Sequence, residues 1–332
     1  MKENNYPIQI VMTPVRNEAW VLRAFLEVTS LWADYIIIAD QMSTDGSREI
    51  AAEYPKVIMI DNNNPDFNEA ERQSMLIAKA REVAAGRDTL LWGLDADEVL
   101  SANAFETEDW RKILNSKPGD VFWFKWAEIC PDQKEYWLSK TTFFPWLFHD
   151  DGKEPHGNYV RNMHSMRIPY PIGEKQMYYV NDFRVLHLAY LNQHRVASKR
   201  RFYQFVEWEI NGTSPILLSR HYVLNKDKEN KFQLPATFLY NNEKYGFDLL
   251  SLIDTKTKKC YMDGYVVERV KRHKRKSIRK LDIWDKEFLD IYKEKDPRNS
   301  IDKIIHGYLS KTHNIKDLFI INLIDKILKY IY

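Results

Sequence analysis

Asp95, Ala96, Asp97 and Glu98 follow directly on the apolar run 89–94. Two aspartates separated by one residue, just past a strand end, can both turn into one crevice. One then grips a divalent cation, and the other reaches it through water or takes a ribose hydroxyl. Carboxylate oxygens suit Mg2+ and Mn2+, and such an ion neutralises a diphosphate. The bare pattern is also that of a solvated turn capping a helix. Placement separates the two readings, because the tetrad is the third polar segment to close an apolar run, after 13–18 and 40–47.

Those apolar runs are the elements that must position the polar ends. Residues 8–13 (IQIVMT), 35–39 (YIIIA), 56–60 (KVIMI) and 89–94 (TLLWGL) are short and apolar, which predicts buried strands. Between them, 17–32 carries Val21, Leu22, Phe25, Leu26 and Val28 at helical spacing, and 48–54 and 69–85 also read as helices. Alternating strands and helices predict an α/β fold with a mostly parallel sheet covered on both faces, whose ligands bind at the carboxyl ends of the strands. Neither GxGxxG nor GxxxxGK[ST] is present, which disfavours the dinucleotide and P-loop versions. Residues 121–190 change to aromatic, strand-like pieces and predict a mixed or antiparallel extension. Residues 193–210 read as a helix, 211–268 as ambiguous, 269–280 (RVKRHKRKSIRK) as a basic run, and the tail from Ile315 as an amphipathic helix.

With 332 residues, 44% of them hydrophobic, the chain can bury a sizeable core. Cys130 and Cys260 belong to no cluster, so neither a disulfide framework nor a thiolate metal site is expected, and a reducing cytoplasm fits. The first residues lack the apolar core of a secretory signal, and no window approaches the roughly 20 apolar residues of a membrane span. Residues 1–100 carry a charge of about −8 and the remainder about +10, so the two parts are expected to do different jobs.

Four ordered blocks, PVRNEAWVLRAFL, IIIADQMSTDGSREIA, EAERQSMLIAKA and LLWGLDADEVLS, resemble family 2 of the glycosyltransferases. The likeness is strong over 8–105 and weaker to about 205. It implies the GT-A (Rossmann-like) fold, a nucleoside-diphosphate sugar donor, and a divalent cation, Mn2+ or Mg2+. It also implies a catalytic domain over 1–225, with a nucleotide-sugar half (1–105) and an acceptor half (106–225). Residues 226–332 then form a basic, mostly helical extension.

The resemblance carries roles to particular residues. Pro14, Arg16, Asn17 and Glu18 stand where the nucleoside meets the first strand end. Asp40 matches the acidic residue beside the base, with Gln41, Ser43, Thr44, Asp45 and Gly46 building the loop around it. Arg72 matches a basic residue near the diphosphate, with an ion pair to Glu69 or Glu71 as the competing reading. Asp95, Ala96 and Asp97 bind the nucleotide sugar. Asp95 and Asp97 hold the metal with His187, and Lys199 and Arg200 or Arg201 reach the diphosphate. For the general base of an inverting transfer, some relatives place Glu after a His in a segment like NYVRNMHSMRIPY. Here Ser165 follows His164, leaving Asp151 and Glu154 as the nearest catalytic carboxylates. Among Trp123, Trp126, Trp137 and Trp146, one or two rings are expected to stack on acceptor sugar and the rest to be core.

The expected reaction is sugar transfer to a glycan or lipid-linked acceptor in bacterial surface polysaccharide synthesis, without nucleic acid. The basic run and amphipathic tail together suggest attachment to a membrane surface. A sugar nucleotidyltransferase, or a non-catalytic glycan-binding module, stays open at this point.

Overall fold

A computed structural model describes residues 6–138, 142–153, 165–169, 176–222, 230–273 and 276–332. The chain begins with β1 (Ile8–Val15), α1 (Ala19–Ser30), β2 (Tyr35–Asp40), α2 (Ser47–Ala52), β3 (Val57–Asp61), α3 (Glu69–Ala84) and β4 (Thr89–Gly93). There follow β5 (Glu98–Leu100), α4 (Glu108–Leu114), β6 (Val121–Phe124), β7 (Trp126–Ile129), β8 (Glu135–Leu138), β9 (Phe144–Asp150), β10 (Met177–Tyr179) and β11 (Val185–His187). The last elements are α5 (Gln193–Asn211), α6 (Pro215–His221), β12 (Lys231–Gln233), α7 (Asn242–Tyr245), α8 (Tyr261–His273), α9 (Lys286–Tyr292), α10 (Ser300–Lys311) and α11 (Phe319–Ile331).

The main sheet has the order β10-β6-β9-β4-β1-β2-β3. Strands β4, β1, β2 and β3 pair in parallel, and β9 enters antiparallel between β4 and β6. Alternate residues of each strand point to opposite faces. Val11, Ile36, Ile38, Leu90 and Trp92 pack with Val21, Leu22 and Phe25 of α1. Ile10, Met12, Ile37 and Leu91 pack with Leu76, Ile77 and Ala80 of α3. Two helices therefore cover two faces, and each fully buried Leu or Ile contributes roughly 1.5–3 kcal/mol. This is the expected mostly parallel α/β architecture, with a helical C-terminal region.

A second sheet runs β12-β8-β7-β11-β5, with β7 and β11 parallel and the other pairs antiparallel. It begins where β4 ends, since β5 starts at Glu98. Its pairing register sets Glu98, His187 and Glu128 side by side across three strands.

The chain forms two compact units, one of Met1–Leu191 with Asn230–Thr255, the other of Asn192–Glu229 with Lys256–Tyr332. The sequence reading drew one border at 225/226; in the structure α5 and α6 belong to the second unit, and β12 returns to the first. Among the described residues no helix is long and apolar enough to cross a membrane.

Candidate active site at the strand ends

At the ends of β1 and β2, two loops are knitted to each other. Asn17 adopts a left-handed backbone (φ 56), donates its N–H to Ser43 Oγ (2.8 Å) and accepts from Thr44 N at Oδ1 (2.7 Å). Ser47 Oγ accepts from Glu18 N (2.9 Å), and Asp45 Oδ2 accepts from Ala19 N (3.0 Å). Glu18 itself accepts from Trp20 Nε1 (2.6 Å), Gln41 Nε2 donates to the Asn64 carbonyl (2.6 Å), and Arg16 donates to the Pro65 carbonyl (3.2 Å). Pro14 is half-buried within β1. These residues shape the loops around Asp40.

Asp40 is almost wholly buried. Its Oδ2 accepts from Arg48 (2.8 Å) and from Ser43 N (3.2 Å), whereas its Oδ1 meets no hydrogen-bond donor among the described residues. A buried acceptor left open loses the water it had in the unfolded chain, a cost of about 1–3 kcal/mol, unless a ligand N–H or O–H completes it. Arg72, over the Phe67 ring, likewise keeps a buried Nε without an acceptor among the described residues. The competing glutamates are engaged elsewhere: Glu69 accepts from Ser165 N (2.9 Å), and Glu71 accepts from Asn64 Nδ2 (2.7 Å).

Within the tetrad, Ala96 packs into the core and the carboxylates part company. Arg167 spans Asp95 Oδ2 and Glu98 Oε2, both at 2.5 Å, and lies over the Trp146 ring. Glu98 is fully buried and also accepts from Trp126 Nε1 (2.8 Å) and Asp95 N (3.0 Å). Burial pushes its carboxyl up, with the Arg167 cation opposing. Arg167 reaches this place because β4 ends in Gly93. A Cβ there would stand 2.6 Å from Arg167 Cβ, so any larger residue would push the 165–169 segment away.

Asp97 turns the other way, towards His187. His187 Nε2 lies 3.6 Å from Asp97 Oδ2 and Nδ1 lies 3.7 Å from Glu128 Oε1. Trp126 stacks on the imidazole at 4.7 Å and 15°, and Leu188 N donates to the Asp97 carbonyl (2.8 Å). Burial works against the imidazolium, but Asp97 and Glu128 outweigh it and lift His187 to about 9.

This set fits a divalent cation that displaces the imidazolium proton, which Asp97 and Glu128 otherwise hold in place. Ligand atoms at right angles on one Mn2+ or Mg2+ lie about 3 Å apart, near the Asp97–His187 spacing, and a carboxylate with an imidazole accepts either ion. Asp95 remains partly exposed and can join by leaving Arg167. A second close group, Cys130, Asp132 and Glu135, lies at the β7–β8 turn. There Asp132 accepts from Lys134 N and Glu135 N, and Lys231 pairs with Glu135. Burial pushes the Cys130 thiol up to about 11, which makes it a poor metal ligand.

Several expectations need correction. Asp151 follows β9, whose antiparallel register sets Asp150 beside Thr89 at the start of β4. Asp95 follows the end of that strand, about 20 Å away at 3.3 Å per residue. Asp151 therefore stands at the wrong end of the sheet for a base, where its Oδ1 accepts from Lys153 N. Glu154 and His164 lie outside the described residues. Arg200 pairs with Asp282, and Arg201 with Asp263 and Asp285, all in the second unit. In the basic run, Arg269, Lys271, Arg272 and Arg279 pair with Glu209, Glu294, Glu268 and Asp302, so these four do not form an open cationic patch. Sequence reasoning missed Arg167 and Glu128. The Gly at the end of β4 hinted at a close backbone approach, but nothing named the residue that makes it.

The family model described as Glycosyl transferase family 2 matches residues 10–194, more than half of the chain. No curated protein matches it by sequence. Among solved structures, the chain is similar to glucosyl-3-phosphoglycerate synthase from Mycobacterium tuberculosis in complex with Mn2+, UDP and glucosyl-3-phosphoglycerate. The identity is 18% over 37% of this chain and 44% of that one, with a TM-score of 0.27. Mannosyl-3-phosphoglycerate synthase from Rubrobacter xylanophilus matches at 20% identity over 39% of this chain and 42% of that one, with a TM-score of 0.27. GalNAc-T7 with UDP, GalNAc and Mn2+ matches at 12% identity over 82% and 58%, with a TM-score of 0.37. The chain spans less than half the length of the two synthases.

Proposed function

The chain belongs to glycosyl transferase family 2, and from that premise we propose that it moves a sugar from a nucleoside-diphosphate sugar to a glycan or lipid-linked acceptor with a divalent cation. The observation that carries this reading is the meeting of Asp97 and His187 at 3.6 Å, past the end of β4. Asp97 and His187 would hold the cation, with Asp95 joining through water or taking the ribose. Bound there, the cation neutralises the diphosphate as the sugar departs. The open Oδ1 of Asp40 accepts from a base N–H, the Arg72 guanidinium faces phosphate oxygens, and Arg167 balances the charge of Asp95 and Glu98. Trp126, stacked on His187 and packed against Phe144 and Trp146, holds the imidazole in place.

An inverting outcome would take its base from a carboxylate other than Asp151. The setting that suits such an acceptor is surface polysaccharide or lipopolysaccharide synthesis at the inner face of a bacterial membrane. Titration with UDP, GDP and dTDP, each with and without Mn2+, tests the proposal, alongside mass spectrometry of slow donor hydrolysis. One nucleotide is expected to bind tightly only with Mn2+, and Asp97→Ala to weaken that binding by roughly 10- to 100-fold or more, since even a group supporting a metal ligand costs that much. Binding that ignores both Mn2+ and Asp97 would overturn it.

A further inference from the structure

The C-terminal helix α11 carries two apolar faces. The inner one is occupied: Ile321 is buried, Leu328 packs with Ile216, Ile305 and Leu309, and Asp325 pairs with Arg220 at 2.7 Å. On the outer side, Phe319, Ile320, Leu323, Ile327, Tyr330 and Ile331 are all exposed, Phe319 by 83% and Tyr330 by 88%. At 100° per residue these six fall within a sector of about 120°. Ile315 and Leu318, just before the helix, are exposed as well. A soluble surface does not ordinarily gather so many large apolar side chains in 17 residues.

The polar residues beside the stripe are lopsided in charge. Lys326 lies at its edge and Lys329 further round on the same side; both are exposed and make no ion pair among the described residues, while the acidic residue of the helix, Asp325, is engaged on the inner face. An apolar sector bordered by free lysines complements an anionic lipid surface, where the side chains enter the acyl boundary and the ammonium groups remain at the headgroups. A protein partner would have to bury those lysines against acids of its own, since the one exposed acid beside the stripe, Asp317, is matched in charge by Lys316.

We propose that the outer face of α11 docks the protein on an anionic bilayer. This deepens the reading of a lipid-linked acceptor and rests on it for biological sense, but the physical claim is separate. The binding element is α11 and not the basic run 269–280, whose Arg269, Lys271, Arg272 and Arg279 are already paired.

Flotation of the full chain with phosphatidylcholine vesicles, with and without phosphatidylglycerol, tests this directly. The wild type is expected to float with the anionic vesicles and to be released by salt. The triple change Phe319→Ser, Leu323→Ser, Ile327→Ser, at exposed positions that leave the inner face intact, should abolish flotation. Lys326→Gln with Lys329→Gln should weaken it roughly fivefold per lysine. The proposal is overturned if the wild type does not float, if the triple variant floats equally well, or if sedimentation shows a dimer that the triple variant dissociates. Mn2+-dependent nucleotide binding in solution, measured on the same variants, should be unchanged. A failure of docking is thereby distinguishable from a failure of the transferase reading.

Discussion

Arg167 and Arg201 each span one sealed and one open carboxylate far apart in sequence, and they differ in what else holds the open one. Arg201 in α5 is 1% exposed, grips Asp263 of α8 through two hydrogen bonds, and reaches Asp285, which also caps α9 by accepting from Phe288 N. Three helices are tied at one point, and Asp263 is sealed with the guanidinium. Arg167 holds one sealed carboxylate, Glu98, and one that is 30% exposed, Asp95. Asp285 is 40% exposed too, but it also caps α9, whereas the Asp95 carboxylate is held by Arg167 alone among the described residues and can turn to a ligand. Both carboxylates of Arg201 therefore fasten helices together, whereas at the strand ends of the first unit one carboxylate, Asp95, stays open.

Arg201→Met offers the largest test of that contrast. It leaves Asp263 buried without its cation, a loss of about 3–5 kcal/mol, and urea unfolding of the variant should show it without any change in Mn2+ affinity per folded molecule. An unaltered midpoint would break the comparison on its structural side. Arg167→Met should cost less, about 1–3 kcal/mol, because Asp95 can turn to water and burial already favours the neutral Glu98 carboxyl. Removing a cation beside the proposed metal pair should also raise Mn2+ affinity about fivefold, on the order of 1 kcal/mol at a few ångströms near a surface. If calorimetric Mn2+ titration were identical in both variants, the strand-end arginine would be no different in kind from the helix-tying one.

Gly93→Ala sharpens the same point through the backbone. The added methyl meets Arg167 Cβ and carbonyl at 2.6 and 2.8 Å, so the 165–169 segment must shift and loosen the arginine's grip. Combined with Arg167→Met, the two losses should fall short of additive by about 1 kcal/mol, as for residues sharing one contact. Full additivity would mean that Gly93 serves β4 alone.

These contrasts were only partly legible in the sequence. The runs at 8–13, 35–39 and 89–94 announced buried parallel strands, and the polar residues after them marked the ligand edge, because local apolarity and strand ends are written locally. The helix from Gln193 and the amphipathic tail were legible for the same reason. The partners of Asp95 and His187 were not. Strands β5 and β11 have three residues each, too few for a period, and the Arg167–Asp95 contact joins positions 72 residues apart. Asp151 misled because β9 runs against its neighbours, and strand direction leaves no trace in composition. The basic run misled because the acids that pair with it come from other segments.

The smallest expected effect belongs to an ion pair that closes within one turn of chain. Asp296 accepts from the Arg298 side chain (2.9 Å) and from its backbone N–H (3.0 Å), with Lys303 at 3.5 Å. Burial pushes the Asp296 carboxyl up, but Arg298 outweighs it and brings the group from 3.8 down to about 2. A carboxyl lowered by folding contributes stability that is present above pH 3.8 and is lost as the pH falls towards 2. Asp296→Asn should therefore destabilise the protein by less than about 1 kcal/mol at pH 5, for so local and solvated a pair, which a slight drop in melting temperature would read out. The gap to the wild type should narrow from pH 4 downward, because the protonated aspartic acid and the amide then carry the same charge. A gap that stayed constant to the lowest pH at which the protein folds would assign the loss to packing instead. The ionic link would then matter less here than at either buried arginine.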